Sequence, residues 1–183
     1  MTVLIIGTII FFGIHMLPAF SINTMLVDRI GEAPYKMGFS LVSLAGFGLI
    51  IYGFQLSEFV SLWAPAPWGR SLATGLMPIA VILVIAANAP NNIKRFVRHP
   101  MLVGITLWAA THLTANGDLA STILFASFLT FSILDIMLVE SSGRYKATEP
   151  VSVMWDAGII IGGIVVYAIL FSFHGSFAGI PLM

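Results

Sequence analysis

Long apolar runs alternate with short polar segments along most of the chain. The runs lie at about 3–22, 37–57, 72–89, 101–116, 119–139 and 155–173. Each is nearly free of charge and close to the ~18 apolar residues that a helix needs to cross the hydrocarbon core of a bilayer. The strict alternation expected of a membrane β-barrel strand is absent. The pattern therefore predicts an all-α fold, a polytopic membrane helical bundle with about six transmembrane helices.

The composition agrees with a membrane location. Hydrophobic residues make up 58% of the 183 residues and charged residues only 9%. A soluble domain carries roughly 25% charged residues, so most of this surface is expected to face membrane lipid. The formal net charge is zero, which gives no reason to expect a nucleic-acid partner. No internal repeat is evident, and a single domain over 1–183 is expected.

The basic residues predict the orientation of the chain. Seven of the eight lie in the loops after the first, third and fifth runs: Arg29, Lys36, Lys94, Arg95, Arg98, Arg144 and Lys146. Arg70 alone lies in a loop on the opposite side. Because short loops rich in Lys and Arg stay in the cytoplasm, both termini are expected on the outer side of the membrane.

Two histidines, His15 and His112, lie inside apolar runs. At 1.5 Å per residue, they are expected roughly 18 Å and 14 Å below the outer face of the membrane. A histidine in a span can serve as a hydrogen-bonding link between helices, or it can bind a metal. With no cysteine in the chain, two imidazoles at one depth suit a bis-histidine haem better than zinc, which usually takes four ligands. His99 and His174 are expected near the two membrane surfaces.

Each of these histidines ends a stripe of residues spaced by four. The stripes are Gly7, Phe11 and His15 in the first run, and Gly104, Trp108 and His112 in the fourth. Such a stripe lies on one helix face and could line a flat cofactor. Ordinary helix packing with a glycine at the crossing gives the same pattern. The spacing alone leaves both interpretations open.

Polar residues on either side of the fourth run predict how its helix begins and ends. Pro100 is suited to the first helical turn. Gly117 is suited to the position just after the helix, and Asp118 to the N-cap of the next one. The cations before this helix, including Arg98, fit contacts with anionic lipid or with haem propionates. Asp135 is a candidate for a proton route or an ion pair.

The residues from Arg98 to Asp118 resemble the signature of the NnrU family of bacterial membrane proteins. The matching positions are Arg98-His99-Pro100, Gly104, Leu107-Trp108-Ala109, His112-Leu113 and Ala115-Asn116-Gly117-Asp118. The resemblance implies a link to denitrification, through nitric oxide or nitrite reduction. The family includes a plant and cyanobacterial relative, 15-cis-zeta-carotene isomerase, which binds haem b. It therefore also implies haem b with His15 and His112 as axial ligands of the iron, near Phe11, Trp108, Gly104, Arg98 and His99.

One position departs from the isomerase branch. There, a cysteine three residues before the second histidine is thought to replace an iron ligand, whereas this chain has Ala109. Three hypotheses follow. The first is a haem-b-binding membrane protein that serves nitric oxide or nitrite metabolism with a membrane redox or reductase partner. The others are a haem-dependent cis–trans isomerase of a carotenoid-like polyene, and a cofactor-free membrane accessory subunit.

Overall fold

The computed structural model describes residues 1–20, 22–141 and 149–179. These residues form helices and the segments that connect them. The helices are α1 Thr2–Met16, α2 Ile22–Ile30, α3 Glu32–Gln55, α4 Gly69–Ala86, α5 Ile93–Phe96, α6 Pro100–Ala115, α7 Leu119–Ser141, α8 Val153–Ser172 and α9 His174–Ala178, with a 3-10 turn at Leu17–Phe20. The all-α prediction is confirmed, and each of the six apolar runs forms a helix. Arg144 and Lys146, which contributed to the predicted orientation, lie outside the described residues.

Four of these helices, α3, α4, α7 and α8, are long and apolar enough to cross a membrane. Many of their apolar side chains are exposed, such as Leu44 at 68% and Ile161 at 64%. Exposed apolar surface on such helices is covered by lipid. The protein is therefore an integral membrane protein in contact with lipid.

The other two apolar helices, α1 and α6, are shorter. They contain 15 and 16 residues, so they measure about 22 Å and 24 Å. A typical hydrocarbon core is about 30 Å thick. Both helices carry their histidine in the last turn.

The first apolar run was predicted to continue as one helix to residue 22, and this boundary is wrong. Regular α-helix ends at Met16, and the Leu17 N–H bonds to Ile14 O. Pro18 has no N–H and cannot continue the hydrogen-bond ladder. His15 therefore lies in the last turn of α1, and its expected depth, which was counted from the outer end of the helix, stays a prediction.

The chain divides into two compact units, Met1–Val60 and Ser61–Met183. In the first unit, α1 packs along α3 in the antiparallel direction. Leu4 lies against Gly53, Gly7 against Ile50, and Phe11 against Gly46. The small glycines let the two backbones approach closely, as is common between membrane helices.

In the second unit, α4 packs against α6 and α8, and α6 packs against α7. The contact of α6 with α7 includes an interhelical hydrogen bond between the hydroxyl oxygens of Thr106 and Ser132, 2.8 Å apart. The Ser132 side chain is fully buried. This bond fixes the register of α6 along α7.

A hydrogen bond from α8 compensates for a proline inside α4. Pro78 lies inside α4 and, having no N–H, leaves the carbonyl of Thr74 without its usual partner in the helix. The Tyr167 hydroxyl of α8 donates a hydrogen bond to this carbonyl at 3.1 Å. An unsatisfied backbone group in hydrocarbon costs several kcal/mol, so Tyr167 compensates for Pro78.

Two asparagines hold the segment between α4 and α5. Asn91 is buried, and its side-chain amide donates to Ala86 O and Ala89 O at 2.6 and 2.7 Å. The backbone N–H and side chain of Asn92 both donate to the Asp156 carboxylate, at 2.7 and 2.6 Å. Asn92 also exchanges hydrogen bonds with the backbone of Val151. These bonds fix the entry to α5 and α6 against the start of α8.

Candidate functional site

His112 occupies the last turn of α6, and its backbone sets the state of its ring. Nδ1 lies 2.8 Å from the carbonyl oxygen of Trp108, one helical turn earlier. A carbonyl can only accept a hydrogen bond, so Nδ1 carries the proton and the ring lone pair is on Nε2. A metal-binding histidine commonly has this arrangement, in which one ring nitrogen donates to a carbonyl and the other faces the metal.

Aromatic side chains surround the His112 ring. Its centroid lies 4.6 Å from that of Phe125 and 5.4 Å from that of Trp108. Trp108 in turn contacts Phe125 and Phe128 edge to face, at 5.0 and 5.2 Å. Trp108, predicted to form a wall of a cofactor site, therefore lies beside His112, although its contact with a cofactor stays a prediction.

His174, the first residue of α9, also lies beside His112. The two rings are nearly parallel, with an interplanar angle of 21° and centroids 6.5 Å apart. Sequence analysis assigned no function to His174. Its proximity to His112 depends on how α8 and α9 pack, and no local sequence signal could have revealed it.

Gly104 lies two turns before His112 and serves the packing of α6 on α4. A Cβ atom at this position would lie 2.7 Å from Ala80 O and 3.0 Å from a methyl group of Val84. The packing of α6 on α4 therefore explains this glycine. This agrees with the second interpretation of the stripe, ordinary helix packing with a glycine at the crossing. A contact of Gly104 with a cofactor stays a prediction.

The polar turn after α6 supports the end of the helix that carries His112. The backbone N–H and the side-chain amide of Asn116 both donate to His112 O, each at 2.9 Å. The Asp118 carboxylate accepts a hydrogen bond from the Ser121 N–H at 2.9 Å, which confirms it as the N-cap of α7. The turn therefore ends one helix and begins the next, as predicted.

Gly117 is required for a different reason than helix termination. The residues with a positive φ among the described glycines are Gly31 and Gly179, so Gly117 is not in the left-handed region. Its backbone instead lies against the carbonyl of Trp63, and a Cβ atom would overlap that oxygen. Leu62 N and Trp63 N donate to Gly117 O at 2.8 and 3.1 Å. Residues 61–66, called the strap below, thus dock on the turn that follows His112.

His15 repeats the local arrangement of His112 within the first unit. Its Nδ1 lies 2.6 Å from the carbonyl oxygen of Phe11, so its lone pair is also on Nε2. The Phe11 ring, one turn earlier, lies 4.3 Å from the imidazole, and the Phe39 ring lies 5.2 Å away. Both histidines thus end a short apolar helix and have an aromatic residue one turn before them.

Arg98 and His99 share a carboxylate that sequence analysis missed. Glu140 of α7 binds His99 Nε2 at 2.9 Å and Arg98 Nη1 at 3.2 Å. This contact ties the N-terminus of α6 to the C-terminal end of α7. A haem propionate at Arg98 or His99 would have to compete with Glu140, so the cofactor role predicted for these two residues stays untested.

Comparison with known proteins identifies one family. The profile described as NnrU protein matches residues 3–182. No curated protein and no solved structure matches the chain. The matched range contains every predicted site residue.

Proposed function

The chain belongs to the NnrU family, and we propose on that basis, together with the geometry of His112, that it is a haem-b-binding membrane protein. Its proposed role is in nitric oxide or nitrite reduction, with a membrane redox or reductase partner. A haem group would supply one-electron chemistry, and it would bind a diatomic gas only where one of its two histidine ligands left the iron.

The observation that carries this proposal is the state of the His112 ring. The Trp108 carbonyl directs the lone pair to Nε2 and holds the ring in one orientation, which is what an iron ligand requires. The neighbouring Trp108 and Phe125 rings are flat and apolar, like the face of a porphyrin. A histidine with a free Nε2 among apolar rings is the kind of surroundings that a haem ligand needs, and this supports the proposal.

His15 is the proposed second axial ligand. This proposal is supported by the family resemblance, which pairs His15 with His112. It is also supported by the bond of His15 Nδ1 to Phe11 O, which leaves the lone pair of the ring on Nε2, as in His112. Phe11 and Trp108 would then contact the porphyrin on the side of their own histidine. Gly104, Arg98 and His99 complete the proposed surroundings.

The proposed topology has six crossings, with α1 and α6 added to the four membrane-length helices. A helix shorter than the hydrocarbon core can be accommodated by local thinning of the bilayer. The distribution of basic residues supports termini on the periplasmic side of a bacterial inner membrane.

The test of the proposed function is an absorption spectrum of the purified full-length protein, oxidised and then reduced with dithionite. We expect a Soret band and sharp reduced α and β bands. His112→Ala should lower the haem bound per protein on the order of 10-fold or more, because the iron loses a ligand.

Thr114→Ala is the matched control for this variant. It lies in the same turn of α6, and its hydroxyl donates to Thr111 O of its own helix. We expect wild-type haem content from it. A featureless visible spectrum of the wild type, even with haem supplied during expression, would contradict the proposal and favour the cofactor-free accessory subunit.

A further inference from the structure

The short helix α5 exposes a large aromatic ring next to a cation. Phe96 is 84% exposed, and the side chain of Arg95 before it is also exposed. Within the part of the chain that the structure describes, the Arg95 guanidinium has no ion-pair partner. Neighbouring basic and large apolar side chains are typical of a segment that lies at a membrane surface.

The start of α8 adds further apolar side chains to this region. Asn92, which precedes α5, binds the Asp156 carboxylate and the Val151 carbonyl, so the start of α5 lies beside the start of α8. Three large residues in the first turn of α8 are exposed by 74%, 79% and 51%: Val153, Met154 and Trp155. Arg95, Phe96 and these three residues are called the interfacial patch below.

The ends of the neighbouring helices place the interfacial patch at one surface of the membrane. Helices α4 and α8 are both long enough to cross the bilayer. The patch lies after the end of α4 and at the start of α8, where both helices reach the same surface. Trp155 agrees with this level, because tryptophan is enriched where lipid headgroups meet the hydrocarbon core.

Arg95 is the cation of this surface that is best suited to a lipid phosphate. The Arg98 guanidinium already binds Glu140 at 3.2 Å, and Asn92 holds the Asp156 carboxylate through two hydrogen bonds. Neither carboxylate is bonded to Arg95. A guanidinium presents parallel N–H donors that match two oxygens of a phosphate group. Lys94 and Arg98 add positive charge close by in the sequence.

We propose that the interfacial patch is a binding site for an anionic phospholipid. Arg95 pairs with the headgroup phosphate, and Phe96 and the start of α8 contact the acyl chains. A zwitterionic lipid carries the same phosphate together with its own cation, which offsets the attraction, so the site prefers an anionic headgroup. This inference goes beyond the proposed function and requires no bound haem.

Native mass spectrometry of the full-length protein in detergent tests the proposal. The probes are phosphatidylglycerol, which is anionic, and phosphatidylcholine with the same acyl chains. We expect the wild type to retain more phosphatidylglycerol. Arg95→Gln should lower the ratio of bound phosphatidylglycerol to phosphatidylcholine about 5-fold, the effect of one cation near an anionic surface. Arg70→Gln, which removes an exposed arginine at the other end of α4, should keep the wild-type ratio.

Phe96→Ser tests the apolar half of the interfacial patch. The substitution keeps Arg95 and removes a ring that contacts the acyl chains, so the binding of both lipids should fall while their ratio stays the same. Phe59→Ser is the matched control, because Phe59 is 80% exposed and lies outside the patch. We expect wild-type lipid binding from this control.

Several results would overturn the inference without touching the proposed function. Equal retention of the two lipids by the wild type would reduce the patch to ordinary lipid contact. An unchanged ratio in Arg95→Gln would assign the headgroup to other residues. Displacement of phosphatidylglycerol by an equal concentration of inorganic phosphate would indicate a site for the free ion. An oligomer that Phe96→Ser dissociates would assign the patch to a second copy of this chain.

Discussion

At the scale of single residues, backbone carbonyls decide which nitrogen of each imidazole can bind a metal. In His15 and His112, Nδ1 is held by the carbonyl one turn earlier, at 2.6 and 2.8 Å. A carbonyl within the helix has two lone pairs, so it can accept this bond in addition to the backbone bond of the helix. Gly117, two residues after the end of α6, also has a structural role, because the strap docks on its backbone.

Gly117→Ala should destabilise the protein. A Cβ atom would overlap the Trp63 carbonyl, so the strap has to shift away from the turn, and overpacking of this kind costs about 1–3 kcal/mol. A thermal unfolding curve in detergent measures the effect. Gly158→Ala is the control, because a Cβ atom there meets nothing within 4 Å. Equal melting temperatures of the two variants would show that the strap does not dock on Gly117.

At the scale of elements, α6 is fixed at both ends and along its length. Glu140 holds its start through Arg98 and His99, and Asn116 holds its end. Between them, Thr106 bonds to Ser132 of α7. The helix that carries His112 therefore has little freedom to slide along its neighbours. Helices α4 and α8 are joined by the hydrogen bond from the Tyr167 hydroxyl to the Thr74 carbonyl. Pro78 leaves this carbonyl without its usual partner in the helix.

Tyr167→Phe should lower stability by about 1 kcal/mol, a typical value for a hydrogen bond between membrane helices. The reason is that Thr74 O loses its donor. In a Pro78→Ala background the same substitution should cost less, because the restored N–H can bond to Thr74 O. Unfolding of the four proteins of this cycle in denaturant measures the coupling.

Tyr52→Phe is the control for the loss of a phenol. Tyr52 lies on α3 and is 57% exposed, so its removal should change stability by less than that of Tyr167. Strictly additive effects of Pro78→Ala and Tyr167→Phe would disprove the compensation.

At the scale of the whole molecule, the two compact units each bury their own helix contacts. In the first unit α1 packs on α3, and in the second α4, α6, α7 and α8 pack together. The proposed haem ligands His15 and His112 come from different units.

The orientation of the chain can be tested because it contains no cysteine. Phe59→Cys and Phe96→Cys replace side chains that are 80% and 84% exposed. A maleimide that cannot cross membranes should label residue 59 in intact spheroplasts, and residue 96 only after the membrane is opened. The reverse labelling would contradict the expected periplasmic location of both termini.

The sequence predicted the helices better than it predicted the contacts. Uncharged runs of about 20 residues have few alternatives to a helix in lipid, so each of the six predicted runs forms a helix, whereas the more polar or shorter α2, α5 and α9 were not predicted. The end of α1 was mispredicted, because the apolar sequence around Pro18 does not show whether the chain continues as a helix or turns there. Glu140, Tyr167 and His174 were missed as partners, since each acts on a residue far away in the sequence. The Asp118 N-cap and the stripe that places Trp108 beside His112 were predicted, because helix capping and periodicity are local.

The docking of the strap on Gly117 also has a consequence for the order in which the parts of the protein assemble during biosynthesis. The ribosome makes residues 61–66 well before Thr114 and Gly117, whose carbonyls accept their hydrogen bonds. Until that later part of the chain is made, these N–H groups lack the carbonyls on which they dock. Docking therefore joins segments distant in the chain, which makes it a late step of assembly. The contacts between the strap and the end of α6 that carries His112 therefore form only after α6 and the turn that follows it have been made.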